Sequence, residues 1–467
     1  MTDVEDVIRR ARVAQQELAG YDQARIDDVV TAAAWVGVHH AESLARMAAE
    51  ETGLGNARDK TLKNRRKTMG TLRDLTGATS VGVLKEDPAK GIVEIAKPVG
   101  VIAAFTPVTN PGATPINNIM ITTKGRNAVI VAPHPRADGT CRELVRLVHG
   151  QLEKLGVPKD TVQHFPLIAS DKAASKERSR ALMEAADLIV VTAGPANVQA
   201  GYQSGTPALG VGRGNAPVIV DDTADIADAA EKILASATFD YATSCSSENA
   251  LIVEDSVYDT LVAALRERGG YLANDEEKQK LELALWSDGA LNRAAVAQSP
   301  ERLAMLAGLG PKAAEAKLFV VEEEGVGPDF LFSGEKLAPV VSLYRFDGFD
   351  HALDLIERIL AYQGRGHSVG IHSEDDHHIE ALADRADVCR VLVNQAHCIG
   401  NGGDFANGLD FTLSLAAGTW GGNSTSDNIT YRHFLNITRV ARPIAASTPT
   451  EEELFGDYRR RFEADGL

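Results

Sequence analysis

At 467 residues, 44% of them hydrophobic and 24% charged, the chain exceeds what one ordinary core supports, and two or three domains are expected. A net charge of −17 excludes a general nucleic-acid surface, which needs a basic stripe, and obliges any anionic ligand to find a local basic or backbone-amide site. The longest apolar runs, such as 128–132 and 188–191, are strand-sized, so no membrane span is expected.

Residues 1–12 carry acidic residues early and lack a basic region followed by an apolar stretch, which is not the pattern of a secretory signal. Residues 3–77 read as helices, with Ile26, Val29, Val30, Ala33 and Val36 recurring at spacings of three and four. From Gly91 the period changes. Residues 92–96 alternate as a strand, 99–105 and 128–132 read as buried strands, and 115–122 between them reads as a helix. An amphipathic helix at 141–155 and a strand at 188–191 complete a series of parallel βαβ units. A second series runs through strand 218–220, helix 226–237, strand 251–253, helix 257–268 and strands 340–344, 368–372 and 391–394. The fold class is therefore α/β, with two Rossmann-like parallel-sheet domains and a seam near 215–222. Residues 431–443 read as a terminal strand with no helix to return it to a sheet. Together with 92–96 it is expected to form an oligomerisation arm, the alternative being an edge strand within one subunit.

The four cysteines at 141, 245, 389 and 398 lack CxxC spacing and suit reduced thiols in a cytoplasmic setting. By residue type alone a free cysteine reads as a small core hydrophobe. Cys245 differs in its setting. It lies outside any apolar run, in the polar loop Tyr-Ala-Thr-Ser-Cys-Ser-Ser-Glu-Asn-Ala at 241–250, and glycine-rich segments occur elsewhere in the chain, at Gly194 and at 210–215. Neither glycine segment is a clean GxGxxG, and each reads equally as an ordinary turn. The amides at 195–198 open a helix that suits a pyrophosphate. Thr106 and Pro107 leave the end of a buried strand, where doubly wound sheets place their ligands, and Asn110 offers an N–H for an oxyanion or simply an Asn-Pro turn. His377 and His378 follow Asp375 and Asp376 without a third ligand at metal-site spacing, so no metal is expected.

Six ordered blocks carry a resemblance. Cys245 in SCSSEN, TPVTNP at 106–111, APHPRA at 132–137, PALGVGRGNAP at 207–217, EKLAP at 335–339 and GTWGGN at 418–423 together resemble the aldehyde dehydrogenase superfamily, most closely its CoA-acylating branch. That branch includes the aldehyde dehydrogenase half of the bifunctional aldehyde-alcohol dehydrogenases. The resemblance implies a dinucleotide-binding domain at 1–217 with 78–97 contributing to the arm, a catalytic cysteine domain at 218–420, and an oligomerisation strand and tail at 421–467. It implies Cys245 as nucleophile, Asn110 and the Cys245 backbone N–H as oxyanion donors, and His367 as a proton shuttle; a buried structural histidine is the alternative for His367. For the cofactor it implies Thr106, Pro107, His134, Arg136, Gly194, Gly212 and Glu335, with Glu335 at the nicotinamide ribose. Read alone, Glu335 is a solvated charge beside Lys336.

Hydrolytic relatives carry a glutamate base where this chain has Val211, so water is poorly activated and the acyl-enzyme awaits a better nucleophile, the thiol of CoA. The cofactor is NAD or NADP: Ala137 replaces a carboxylate that would repel a 2′-phosphate, and Arg136 would attract one. The implied partners are a small aldehyde and CoA, with no nucleic acid or membrane, in a homodimer or homotetramer. Segments 400–403, 407–414 and 452–458 look most similar to members acting on sulfoacetaldehyde, with acetaldehyde, propionaldehyde and succinate semialdehyde open. Arg213, Arg365 or backbone amides would meet a sulfonate. An acyl-phosphate reductase of the same superfamily and a non-catalytic assembly protein that keeps the fold are the competing readings.

Overall fold

The computed structural model describes residues 3–167, 170–287 and 289–462. Four helices open the chain: α1 (Asp3–Leu18), α2 (Gln23–His39), α3 (Ala41–Thr52) and α4 (Ala57–Leu75). Side chains of Asp22 and Asn56 cap α2 and α4 by accepting the third backbone N–H of each helix. Strands β1 (Gly82–Asp87) and β2 (Ile92–Pro98) follow. The first α/β unit then runs β3 (Val101–Thr106), α5 (Ala113–Thr123), β4 (Ala128–Pro133), α6 (Asp138–Lys154), β5 (Val162–His164), α7 (Lys172–Ala185), β6 (Leu188–Val191), α8 (Pro195–Gln203) and β7 (Ala208–Gly210). Its five strands are all parallel, in the order β5-β4-β3-β6-β7. Every residue of β3, β4 and β6 is buried, which is why these strands read as continuous apolar runs rather than alternating ones. The first of them begins at Val101 rather than Val99, because the amides of Val99 and Gly100 donate to Asn127 Oδ1 instead of a neighbouring strand.

The second unit begins with β8 (Ala216–Val220), α9 (Ile226–Thr238), β9 (Glu248–Glu254), α10 (Asp255–Glu267), β10 (Gly270–Leu272) and α11 (Asp275–Leu285). A small hairpin of β11 (Trp286–Ser287) and β12 (Ala290–Leu291) leads to α12 (Pro300–Leu306) and α13 (Pro311–Ala314). The unit closes with β13 (Leu318–Glu322), β14 (Val340–Phe346), α14 (Phe349–Tyr362), β15 (Val369–His372), α15 (Asp376–Arg385), β16 (Val391–Val393) and α16 (His397–Gly400). Its seven-stranded sheet, β10-β13-β14-β9-β8-β15-β16, is likewise parallel. Val218, Val220, Leu251 and Val253 face α9 and α10, while Ile219, Ala250 and Ile252 face α14 and α15, so helices cover both faces. The expected α/β fold with two parallel sheets is thus present.

Residues 81–97 and 436–462 form a compact unit of their own, with a three-stranded sheet of order β1-β2-β17, where β17 is Leu435–Ala441. Within it Arg439 Nε lies 2.9 Å from Glu94 Oε1 and the Arg442 amide donates to the Gly91 carbonyl. Two corrections arise here. Residues 431–434, expected as strand, form a helical turn whose Tyr431 and Phe434 are buried, because Thr430 and His433 cap one another. The terminal strand is also followed by a helix, α17 (Glu451–Phe462), acidic in its first turn and basic in its last as the helix dipole favours.

Candidate active site

In a parallel sheet every strand ends on the same edge. Thr106 ends β3 and Pro107 and Asn110 follow it, His134 and Arg136 follow β4, Gly194 follows β6 and Gly212 follows β7, so all lie at the carboxyl edge of the first sheet. Cys245 precedes β9, Glu335 precedes β14, His367 precedes β15 and Arg390 precedes β16, so these lie at the amino edge of the second sheet. The two edges meet. The Gly212 amide donates to the Leu415 carbonyl, Thr192 Oγ1 lies 2.7 Å from Ser414 Oγ, and a Cβ on Gly214 would fall 1.9 Å from the Cys245 carbonyl oxygen. Gly214 must therefore be glycine for the 210–215 loop to lie against the cysteine.

Cys245 is half-buried, and all four cysteines are free. Burial, and after it the Glu335 carboxylate, pushes its thiol up to about 11, while Ser246 and Arg390 act in the opposite direction. The Arg390 guanidinium is 6% exposed and bonds Asn428 Oδ1, the His367 carbonyl and the Ala416 carbonyl. Asn401 Nδ2 bridges Ser246 Oγ and Ser368 Oγ, both at 2.9 Å, and Ser368 Oγ lies 2.8 Å from His367 Nδ1. A hydrogen-bonded chain thus connects the residue after Cys245 to His367. His367 is fully buried, and burial followed by Arg390 and His397 holds its pKa well below the ordinary imidazole value, so it is neutral at pH 7.

Asn110 is half-buried beyond the end of β3; its Oδ1 accepts from Lys63 Nζ at 2.7 Å and its Nδ2 donates to Thr109 Oγ1 at 3.3 Å. Val211 packs at the margin of the first unit's core among residues such as Val191 and Val198, so an aliphatic side chain fills the position where hydrolytic relatives are expected to carry a base.

The groups expected to hold a dinucleotide present a fitting surface. Thr106 Oγ1 is buried without a hydrogen-bond partner in the chain. Gly194 caps α8 with no side-chain bond, and a Cβ there would meet nothing within 4 Å, leaving room for a ligand at the helix N-terminus. His134 Nδ1 accepts the Arg136 amide, and burial followed by Arg136 lowers its pKa. The Arg136 guanidinium is already engaged, donating to the Thr52 carbonyl at 2.5 Å. Gly212 is explained by packing, since a Cβ would fall 2.3 Å from that of Ala417.

Glu335 is not a solvated charge: it is buried, its amide donates to Gln363 Oε1, and burial raises its carboxyl to about 7 against the pull of Arg213, 3.5 Å away. Lys336 is buried too, its ammonium donating to the carbonyls of Phe332 and Gly334, and burial lowers it to about 7. Arg365 is exposed and paired with Asp387, and Arg213 lies 3.5 Å from Glu335. His378 stacks on Phe349 and bonds Asp221. Among the described residues no group of His, Cys, Asp and Glu could hold a metal ion, and no helix is long and apolar enough to cross a membrane.

Sequence reading missed the site's buried cations. Lys60, Lys63 and Lys67 occupy the buried face of α4 at helical spacing, and Lys60 and Lys63 both bond Asp240 Oδ2. The signal was legible as Lys-x-x-Lys-x-x-x-Lys, a stripe with the period of an apolar face but filled with charge.

Comparison with known proteins supplies the family. Residues 1–405 match the model of the aldehyde dehydrogenase family. The chain is 49% identical over 458 residues to an acylating sulfoacetaldehyde dehydrogenase of Cupriavidus necator, covering 97% of this chain and 92% of that one. An acetylating aldehyde dehydrogenase from Geobacillus thermoglucosidasius superposes with a TM-score of 0.91 at 38% identity, over 96% and 98% of the two chains. A Rhodopseudomonas palustris propionaldehyde dehydrogenase, solved with bound CoA and an acylated cysteine, superposes with a TM-score of 0.81 at 27% identity, over 94% and 97%. With a loop cysteine held at the meeting edges of two parallel sheets, and with these matches along its length, the chain belongs to the aldehyde dehydrogenase family.

Proposed function

We propose that the protein oxidises sulfoacetaldehyde to the corresponding acyl-CoA, reversibly, through a thioester on Cys245. The observation that carries the acylating reading is Val211, where the position expected to hold the water-activating base packs as an aliphatic residue against the core, beside a glycine loop pressed onto the cysteine; the choice of sulfoacetaldehyde is supported by the 49% identity to an acylating sulfoacetaldehyde dehydrogenase. When bound, NAD(P)+ supplies the hydride acceptor and CoA the thiol that takes the acyl group.

Cys245, after its thiol gives up its proton to water, attacks the aldehyde carbon as thiolate, and the resulting oxyanion is held by the Asn110 side-chain N–H and the Cys245 backbone N–H. Glu335 would hold the nicotinamide ribose. Thr106, Pro107, Gly194 and Gly212 would border the cofactor, and His134 and Arg136 would meet its adenosine part. His367, neutral and joined to Ser246 through Ser368 and Asn401, is placed to pass the proton of the incoming thiol. A carbonyl-bonded Arg390, together with the net positive charge of α4 lysines Lys60 and Lys63 against the single carboxylate of Asp240, favours an anionic aldehyde in a chain of net charge −17. The four free cysteines support a cytoplasmic setting. A homodimer or homotetramer is supported by the edge strand β17, which leaves Ile437 and Val440 exposed.

The test is incubation of the protein with sulfoacetaldehyde and NAD+ or NADP+, with and without CoA, followed by mass spectrometry. The expected product is sulfoacetyl-CoA, formed only with CoA. Many turnovers of NAD(P)H without CoA would overturn the acylating assignment.

A further inference from the structure

Asn110 has been assigned as an oxyanion donor, and its amide must face the right way to act. An amide presents an oxygen on one side and an N–H2 on the other, and a flip exchanges donor for acceptor. Lys63 removes that freedom. Its ammonium, which can only donate, lies 2.7 Å from Asn110 Oδ1, so the oxygen is turned toward α4 and the N–H2 away from it. One Asn110 N–H reaches Thr109 Oγ1, leaving the other for a ligand.

The lysine is itself fixed. Its other two bonds go to Asp240 Oδ2 at 2.7 Å and Thr243 Oγ1 at 2.9 Å, which use all three of its protons. Thr243 donates in turn to Asp240 Oδ2 at 2.7 Å and stands two residues before Cys245. Asp240 Oδ2 also accepts from Lys60, and Asp240 Oδ1 accepts the Asn56 amide at 2.8 Å. These bonds anchor a backbone in the sparsely populated left-handed region, where Asp240, Tyr241 and Ala242 have φ of 52°, 53° and 57°. Lys63 and Asp240 are 7% and 0% exposed, so the bonds are shielded from competing water.

We propose that Lys63, locked by Asp240 and Thr243, is a positioning residue of the reaction: it sets the Asn110 amide for the oxyanion and ties that amide to the loop carrying Cys245. The proposal rests on the oxyanion role of Asn110.

A double-mutant cycle tests it, with kcat measured for sulfoacetaldehyde and for acetaldehyde in the presence of NAD+ and CoA, and NAD+ affinity measured by fluorescence. Asn110→Ala is expected to lower kcat about 100- to 1000-fold. Lys63→Met is expected to lower it about 10- to 100-fold with NAD+ affinity within about twofold of the parent, because only part of the donor's effect depends on its orientation. In the double variant the two losses do not multiply, and kcat stays within about twofold of Asn110→Ala alone. Multiplying losses, or a Lys63→Met variant as fast as the parent, would overturn the proposal. A fast Asn110→Ala variant would overturn the oxyanion assignment itself and the proposal with it. If Lys63→Met lacks a cooperative melting transition, Lys63→Gln, which keeps an uncharged N–H donor, takes its place in the cycle: non-multiplying losses support the positioning role, and multiplying losses overturn it.

Discussion

Helices α2 and α4 are neighbours of similar length that bury opposite kinds of surface. The buried side of α2 is Ile26, Val29, Val30, Ala33, Ala34 and Val36. That of α4 is largely Lys60, Lys63, Asn64, Lys67, Thr68 and Thr71. Apolar burial contributes stability in proportion to area and asks nothing of orientation, whereas a buried ammonium is tolerated only where acceptors meet each of its protons. Lys67 shows the requirement met by backbone alone, its Nζ donating to the carbonyls of Gly402, Gly403 and Ile399 at 2.8, 3.0 and 3.5 Å. One helix holds the fold together and the other delivers charge to the site.

Three substitutions break or sharpen that contrast. The largest expected effect on stability is on α2: Ile26→Ala, at a position with no exposure, is expected to cost about 2–5 kcal/mol in denaturant or thermal unfolding while kcat well below the transition stays within about twofold. A loss of kcat without a loss of stability would erase the distinction between the helices. Next comes Lys67→Met, expected to cost about 1–3 kcal/mol and to change the pH dependence of stability. Burial lowers Lys67 to about 8 in the folded protein from its ordinary 10.5, so between those values the unfolded chain holds a proton that the folded one releases. Stability of the parent therefore gains a rising increment from about pH 8 to 10.5, which Ile26→Ala retains and Lys67→Met lacks. Identical pH slopes in all three proteins would contradict it. The smallest effect is on the outer side of α4, where Leu62→Ser, at a half-exposed position, is expected to stay within about 0.5 kcal/mol and leave kcat unchanged.

The same contrast explains what is legible in the sequence. Strands β3, β4 and β6 are legible because burial on both faces forces continuous apolar runs, and the opening helices because their apolar residues recur at helical spacing. Helix α17 is not, because its described residues are almost all exposed, so it carries little of the period that core contact imposes. At the site, Cys245 stands out by its polar loop, and Val211 by the charge it lacks. Lys63 does not, since a lysine on a helix is ordinarily solvated and only its partners reverse that reading. Glu335 misleads in isolation for the same reason: adjacency to Lys336 suggests a surface pair, whereas the two groups are buried separately, Lys336 on carbonyls and Glu335 near Arg213.

By itself the sequence determined the α/β class and the parallel sheets, because hydrophobic period is a local property, and its resemblance to the family singled out Cys245 as the expected nucleophile and Val211 as the position expected to lack a base. The tertiary structure decided that the carboxyl edge of one sheet meets the amino edge of the other, that Gly214 is pressed against Cys245, and that α4 reaches Asn110 and Asp240 with buried ammonium groups. Those contacts join residues as far as 222 positions apart. Only the folded chain fixes which acceptor each buried donor finds, and so which way the Asn110 amide points.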